Sequence, residues 1–570
     1  MIKPKRLKPY KNAPPYDTVE RARKILKDCD AFVSENTFFM SSSKTFTSRI
    51  WLSDDGIRSL KIGTNGKGMT ARYALASAYG ELMERIQNMC LNLHGTPECF
   101  PEGYFFRPSA DPNESANGAA DSIHSFLFSP DERWRTVEET LTESSDVLRQ
   151  MRLYKTLKEE ELRRMLTEFS YKGRLACVPF YSIDREKTVY LPYKIIKVNV
   201  LCNGMCAGNT PKEAIIQGLS EIYERYAQQM VIMENREVPS IPDEYFEGTE
   251  VYKKLQGLKQ QGITVDILDF SCNKGLPVVA LKLINENGEI SIHPGADPCP
   301  ITALERCLTE TYQGAESLVT KLRYRAKPIR MPDTSDEDQV NEFYANLKEC
   351  FELGAGGYPD NIHNYKRNPG FKEFDHPVSG SDADDLRFML SVAKKNGFEV
   401  FVRDNSYLGF PAFDVFIPGM SDIAFFRGPK AKNYLEYGKE LRTLLSLPTA
   451  DLKDVEALYA FLQDDARNKY AAISIRDCFP LGIGEYMPED AFDVNIMLEA
   501  LKGQIHYLRE GGEAVFTRDN WPVCEDCEHC AYHVECRQKA FMKVFQPFRE
   551  QLFMNCRPQT AETLKEPACF

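Results

Sequence analysis

A chain of 570 residues with 43% apolar side chains can bury a sizeable core and is long enough for two to four domains. Its net charge of −12 argues against nucleic-acid binding as the main activity. No run of 18 apolar residues is present to span a membrane, and the basic start Met1–Arg6 leads into Pro9, Pro14 and Pro15 rather than an apolar signal segment. A cytoplasmic protein with mostly reduced thiols is therefore expected, with neither nucleic acid nor membrane as a partner.

In chain order, residues 1–60 read as an extended Lys/Pro arm, a helix capped by Asp17 or Thr18, and first strands over Thr45–Leu60. Residues 61–430 read as one large domain that opens on a glycine-rich turn, Gly63–Gly68. Charged, irregular stretches at about 95–170 and 326–380 read as insertions, the first with helices near 131–168. Strand texture recurs at Leu175–Phe180, Val189–Val200, Val265–Phe270, Pro277–Ile284, Phe398–Arg403 and Phe413–Ile417. Helical periodicity then takes over in 431–515, through Leu441, Leu444, Leu445, Leu458, Leu462 and Leu501. Residues 516–570 form a Cys-rich tail.

Within the large domain one helical pattern occurs three times. Ala74, Ala78, Glu81, Glu84 and Arg85 return, shifted by 140 residues, as Ala214, Gly218, Glu221, Glu224 and Arg225. A third copy, shifted by a further 89, has Ala303, Cys307, Glu310 and Gln313. Steps of three and four put these residues on one helical face. Each helix thus offers small residues where something packs closely, then carboxylates or amides on the same stripe. One Glu-x-x-Glu-Arg is usually a solvated, salt-bridged face. Recurrence beside the same small residues is not expected of drifting surface charge, and it predicts that the helices converge on one site. Glu81, Glu84, Glu213, Glu221, Glu224 and Glu310 gathered there would repel one another. Mg²⁺ relieves such repulsion and brings phosphates with it, which Arg306 and Lys67 can meet. Arg85 and Arg225 can equally serve as internal counter-ions.

At these positions the chain resembles the YcaO superfamily. The resemblance rests on Gly66, Lys67 and Gly68 with Ser77, Ala78, Glu81, Glu84 and Arg85. It continues through Asn203, Gly204, Met205, Gly208, Asn209, Thr210, Glu213 and Ala214 with Glu221, Glu224 and Arg225, then Arg306, Glu310 and Gln313. Pro418–Asp422 and Leu444–Pro448 extend it, so that it covers about residues 1–450. It implies an α/β fold of β-sheets with long packed helices, ATP and Mg²⁺ as cofactors, and phosphorylation of an amide or carboxyl oxygen. It further implies Mg²⁺ ligands at Glu81, Glu84, Glu213, Glu221 and Glu310, and ATP contacts at Lys11, Thr18, Cys206, Asn209, Glu224 and Arg306. No general base is named.

The later motifs look most like the stand-alone type, an accessory to methylthiolation of a small-subunit ribosomal protein. The implied partners are a protein or peptide substrate and a radical-SAM methylthiotransferase; a homodimer is a possible assembly. The end of the chain, Lys565–Phe570, lacks the Pro-x-Pro-x-Pro tail of the azoline-forming branch. The alternatives are a peptide-modifying enzyme that makes azolines or thioamides, and a nucleotide-binding scaffold for a radical-SAM partner.

A separate signal closes the chain. Cys524, Cys527, Cys530 and Cys536, interleaved with His529 and His533, are dense enough for Zn²⁺ or a [4Fe–4S] cluster.

Overall fold

The computed structural model describes residues 3–53, 59–88, 126–311, 328–348, 357–363, 368–372, 374, 380–423, 443–466, 487, 489–523, 526, 529–532 and 537–560. Its helices are packed on three antiparallel sheets. The first sheet runs β1 (Phe32–Met40), β2 (Thr45–Ser53), β3 (Ser59–Gly68) in that order. The second has six strands: β4 (Arg133–Thr136), β5 (Arg174–Ser182), β12 (Phe401–Asp404), β13 (Ala412–Phe416) and β7 (Met205–Ala207) in line, with β6 (Lys187–Pro192) also on β5. The third is β11 (Ile290–Ala296), β10 (Val278–Ile284), β9 (Thr264–Asp269) and β8 (Ser240–Ile241).

Each copy of the repeat is the last part of a strand followed by a helix. β3 leads to α2 (Ala71–Gln87), β7 to α6 (Pro211–Met233) and β11 to α8 (Pro300–Glu310). Thr70 and Thr210 cap the first two helices by accepting from the Tyr73 and Glu213 amides; Cys299 precedes α8 without a side-chain cap. What the small residues pack against is the strand of their own copy. A side chain at Gly66 would overlap the Ala74 carbonyl and Ala78, and one at Gly295 would overlap the Ala303 carbonyl and lie 2.8 Å from Cys307 Sγ. In the middle copy the sizes are exchanged: the strand carries Cys206 and the helix carries Gly218.

Several expectations change. The glycines at 63–68 lie in β3, in register with β2 (Gly66 opposite Ser48, Gly68 opposite Phe46), and do not form a turn. The first helix, α1 (Pro15–Asp28), begins at Pro15 with no side-chain cap, so Thr18 lies inside it; proline's fixed φ suits the first helical position. Val189–Val200 is not one strand: β6 ends at Pro192 and α5 (Tyr193–Val200) follows. Tyr193, Ile195, Ile196, Lys197, Asn199 and Val200 are all buried, so neither alternation nor a helical stripe marks the segment. Residues 126–169, read as part of an insertion, supply β4 to the second sheet. They also supply α3 (Val137–Leu148) and α4 (Glu159–Phe169), whose Leu148, Leu162 and Leu166 are fully buried.

α6 is the central helix, buried on nearly every face between the second and third sheets, in a core with Leu268, Val278, Val402 and Val415. Each fully buried aliphatic side chain there contributes about 1.5–3 kcal/mol. α7 (Glu250–Gln260) lies against β9 and α8 on the third sheet. The helical region beyond residue 443 has its own core around Leu444, Leu458, Leu462, Leu501 and Trp521. The last helix, Arg537–Asn555, instead sets Val544 and Phe548 against the core under α1 and α2. Among the described residues no helix is long and apolar enough to cross a membrane.

Candidate functional site

The three repeat helices bring their acidic stripes to one pocket of about 290 Å³. α2 contributes Glu81, Glu84 and Arg85; α6 contributes Glu213, Gln217, Glu221, Glu224 and Arg225; α8 contributes Arg306, Thr309 and Glu310. Asn65 and Lys67 of β3 form one wall, and Tyr10, Lys11 and Thr18 of the N-terminal segment another. Thus Lys11, Thr18, Glu81, Glu84, Asn209, Glu213, Glu221, Glu224, Arg306 and Glu310, all expected from the sequence, line a single cavity.

Cys206 does not line it. Its thiol is fully buried and donates to the Phe413 carbonyl at 3.4 Å. Burial, with the negative charges of Glu84 and Asp414 adding, pushes this thiol well above its ordinary range. The expected ATP contact is therefore a packing position beside Gly218. The sequence could not separate these roles, because Cys206 immediately precedes Ala207, Gly208 and Asn209, which do line the pocket.

The acids are held by the protein's own cations. Lys67 pairs with Glu310, Arg85 lies 3.5 Å from Glu81 and 3.6 Å from Glu84, and Arg225 lies 3.2 Å from Glu221. Burial raises the carboxyls of Glu81 and Glu224 and raises Glu84 well above the usual range; Glu221 adds to each, and nearby Arg and Lys side chains oppose. Such a donor set, hard oxygens short of positive charge, fits a divalent cation such as Mg²⁺. Among the described residues, no three His, Cys, Asp or Glu side chains are gathered around one point as a finished metal site.

Glu213 is differently placed. It accepts from the Asn12 amide at 2.9 Å, from the Asn209 side chain at 3.0 Å and backbone at 3.3 Å, and pairs with Lys11 at 3.5 Å. Its carboxylate ties the N-terminal arm to the start of α6, where helix N-termini favour negative charge. Thr18 donates to Asn209 Oδ1 at 2.7 Å and continues the same tie.

Two residues that hold Arg306, Gln217 in the pocket and Asp297 in the neighbouring cavity, escape the sequence reading. Gln217 accepts from Arg306 at 2.6 Å; it lies four residues from both Glu213 and Glu221, a spacing that marks it. Asp297, which burial raises and Arg306 opposes at 3.2 Å, precedes α8 and carries no local signal. A neighbouring cavity of about 360 Å³ shares Tyr10, Lys11, Glu213, Gln217 and Arg306 with the first, and is roofed by arm residues Lys3–Asn12. Of the four clustered cysteines, Cys524, Cys527 and Cys536 lie outside the described residues; Cys530 is a free thiol.

Comparison with known proteins agrees with the pattern. The family model described as YcaO cyclodehydratase, ATP- and Mg²⁺-binding, matches residues 65–421. The chain is 30% identical over 435 residues to the ribosomal protein S12 methylthiotransferase accessory factor YcaO of Escherichia coli (strain K12), covering 74% of this chain and 68% of that one. It is 29% identical over 366 residues to an uncharacterized protein of Haemophilus influenzae, covering 63% of this chain and 57% of the relative. Solved structures with a similar fold include a heterocyclase in complex with substrate and cofactor (TM-score 0.47, 19% identity, 73% of this chain and 53% of that chain). Another is YcaO from Methanopyrus kandleri bound with AMPPCP and Mg²⁺ (TM-score 0.41, 18% identity, 73% and 93%). With the family model matching more than half of its length, this chain belongs to the YcaO family.

Proposed function

We propose that the pocket binds ATP with Mg²⁺ and that the protein activates an amide or carboxyl oxygen of a protein or peptide by phosphorylation. The observation that carries this reading is the convergence of three matched acidic helix faces with Lys67, Lys11 and Arg306 in one cavity. Glu81, Glu84, Glu221 and Glu310 would hold the metal, and Lys11, Thr18, Asn209, Glu224 and Arg306 the nucleotide. Glu213 is better used as the anchor of the arm. Bound Mg²⁺ supplies charge neutralisation at the phosphoryl group being transferred. The residues of the chain position the nucleotide, and Arg306, fixed by Gln217 and Asp297, offers a guanidinium to phosphate oxygens. The acceptor oxygen forms the new bond to the γ-phosphorus as the bond to ADP breaks. A nucleophile then adds to the activated carbon and phosphate leaves.

The likeness to the Escherichia coli accessory factor supports a role as accessory to methylthiolation of a small-subunit ribosomal protein; this reading adds, from the sequence, a radical-SAM partner and a cytoplasmic location. The family description, a cyclodehydratase, favours azoline-forming peptide chemistry as the second reading, with thioamide formation as the other peptide modification that the same activation would serve. Calorimetry with a non-hydrolysable ATP analogue tests the common core: binding that requires Mg²⁺ is expected, and no binding with Mg²⁺ present would remove every ATP reading. For the tail cysteines the expected outcome is bound zinc or iron with sulfide in the anaerobically purified chain; a metal-free protein would reduce them to ordinary thiols.

A further inference from the structure

The repeat has a further layer. Ser77, Gln217 and Arg306 stand at matched positions, separated by the same 140 and 89 residues that relate the acids. All three line the acidic pocket, each one helical turn before Glu81, Glu221 or Glu310. The third copy departs from the other two twice. Arg306 takes the place of Ser77 and Gln217, and Asp297 takes the place of Gly68 and Gly208. The two departures meet in space. Asp297 accepts from the Cys299 amide at 2.9 Å, which holds it at the start of α8, and its carboxylate lies 3.2 Å from Arg306 Nη2. The same Nη2 donates to Gln217 Oε1 at 2.6 Å. The guanidinium is thus held at one nitrogen by an acid of its own copy and an amide of the preceding copy.

This contact decides which way the Gln217 amide faces. A guanidinium only donates, so Gln217 must turn its oxygen to Arg306, and the group left to it is the Nε2 amino group, a donor of two hydrogens. Among the described residues nothing accepts from Nε2. Gln217 lines both cavities, as do Tyr10, Lys11, Glu213 and Arg306. A carboxylate at position 217 could hold Arg306 equally well, but it would cancel the guanidinium's charge and turn an anionic oxygen to the pocket. The amide holds the arginine and stays neutral. Phosphate oxygens accept, so the glutamates around Gln217 cannot serve them directly, whereas Nε2 can. We propose that Gln217 is a nucleotide-binding residue: pinned by Arg306, it donates from Nε2 to a phosphate oxygen beside that arginine. The inference rests on the ATP reading above and adds a neutral donor to the acidic wall.

Calorimetry on the full chain with Mg²⁺ and a non-hydrolysable ATP analogue tests it, with circular dichroism to show that each variant is folded. Gln217→Met keeps the length and loses the amide. It should bind the analogue about tenfold more weakly, the scale of one hydrogen bond to a charged group. Gln217→Glu keeps an oxygen for Arg306 and replaces the donor by an anion. It should bind on the order of 100-fold more weakly, since like charges then face each other. A residue that served only to anchor Arg306 would give the reverse order, with Gln217→Glu close to wild type. Should either variant fail to fold, Gln217→Asn, shorter by one methylene, takes its place and should also weaken binding. With wild type binding normally, wild-type affinity in a folded variant, or a Gln217→Glu protein that binds as well as Gln217→Met, overturns the inference and leaves the ATP reading standing. No analogue bound by wild type overturns both.

Discussion

Cys206 Sγ lies 2.9 Å from where a Cβ on Gly218 would be, and in the next copy Cys307 Sγ lies 2.8 Å from where a Cβ on Gly295 would be. The same sulfur-sized volume is supplied from the strand in one copy and from the helix in the other. The space between strand and helix is therefore what the repeat keeps constant, while the residue that fills it differs between copies.

Gly218→Ala sets two effects against each other. Alanine favours the helix by about 1 kcal/mol, while the added methyl meets Cys206 Sγ at 2.9 Å and the Gly204 carbonyl at 3.1 Å. Overpacking of a tight core costs about 1–3 kcal/mol, so a net loss of stability is expected. In a Cys206→Ala background the sulfur is gone and the same change should cost less or become favourable. Denaturant unfolding of the four proteins of this double-mutant cycle measures the coupling.

Glu84 stands where α2 closes the pocket, beside Glu81 and Arg85. Glu84→Gln keeps its size and removes the charge. ATP turnover should fall on the order of 100-fold, the scale of losing one preorganised electrostatic group. Circular dichroism should remain that of the parent. Unchanged phosphate release would take Glu84 out of the machinery.

Behind the pocket, Lys197 of α5 and Asp414 of β13 form an ion pair at 2.6 Å with both side chains 1% exposed. Removing one partner strands a buried charge, at a cost of about 3–5 kcal/mol. Lys197→Met should therefore lower the melting temperature strongly. Adding Asp414→Asn should recover part of the loss, because the stranded carboxylate is then neutral. Thermal melts of the single and double variants decide it.

Asp422 is buried, accepts from the Arg152 amide at 2.6 Å, and is pushed up to about 6 by burial. Since its folded value lies above its ordinary one, the folded state binds the proton more readily. Its effect on stability therefore grows more favourable as pH falls from about 7 toward 4, by at most about 3 kcal/mol at about 1.4 kcal/mol per unit. Asp422→Asn should flatten that part of the stability profile. Denaturant midpoints at pH 7, 5.5 and 4.5 check this, and an unaltered slope would count against it.

The sequence by itself determined the acidic stripes. Helical spacing is a local property, so Glu81, Glu84, Glu221, Glu224 and Glu310 are legible on their faces, and their recurrence announces convergence before any packing is known. Gln217 is equally legible at four-residue spacing, although an amide between two glutamates draws less notice than a charge. The tertiary structure decided what depended on contacts between distant segments. It placed Asp297 against Arg306, turned Cys206 away from the pocket, and engaged Glu213 with Asn12 and Lys11 of the arm. It also made Tyr193–Val200 a helix, which the sequence does not reveal because its polar Lys197 and Asn199 are buried with the apolar residues and mark no solvent face. Period reports which residues share a face; only packing reports what that face meets.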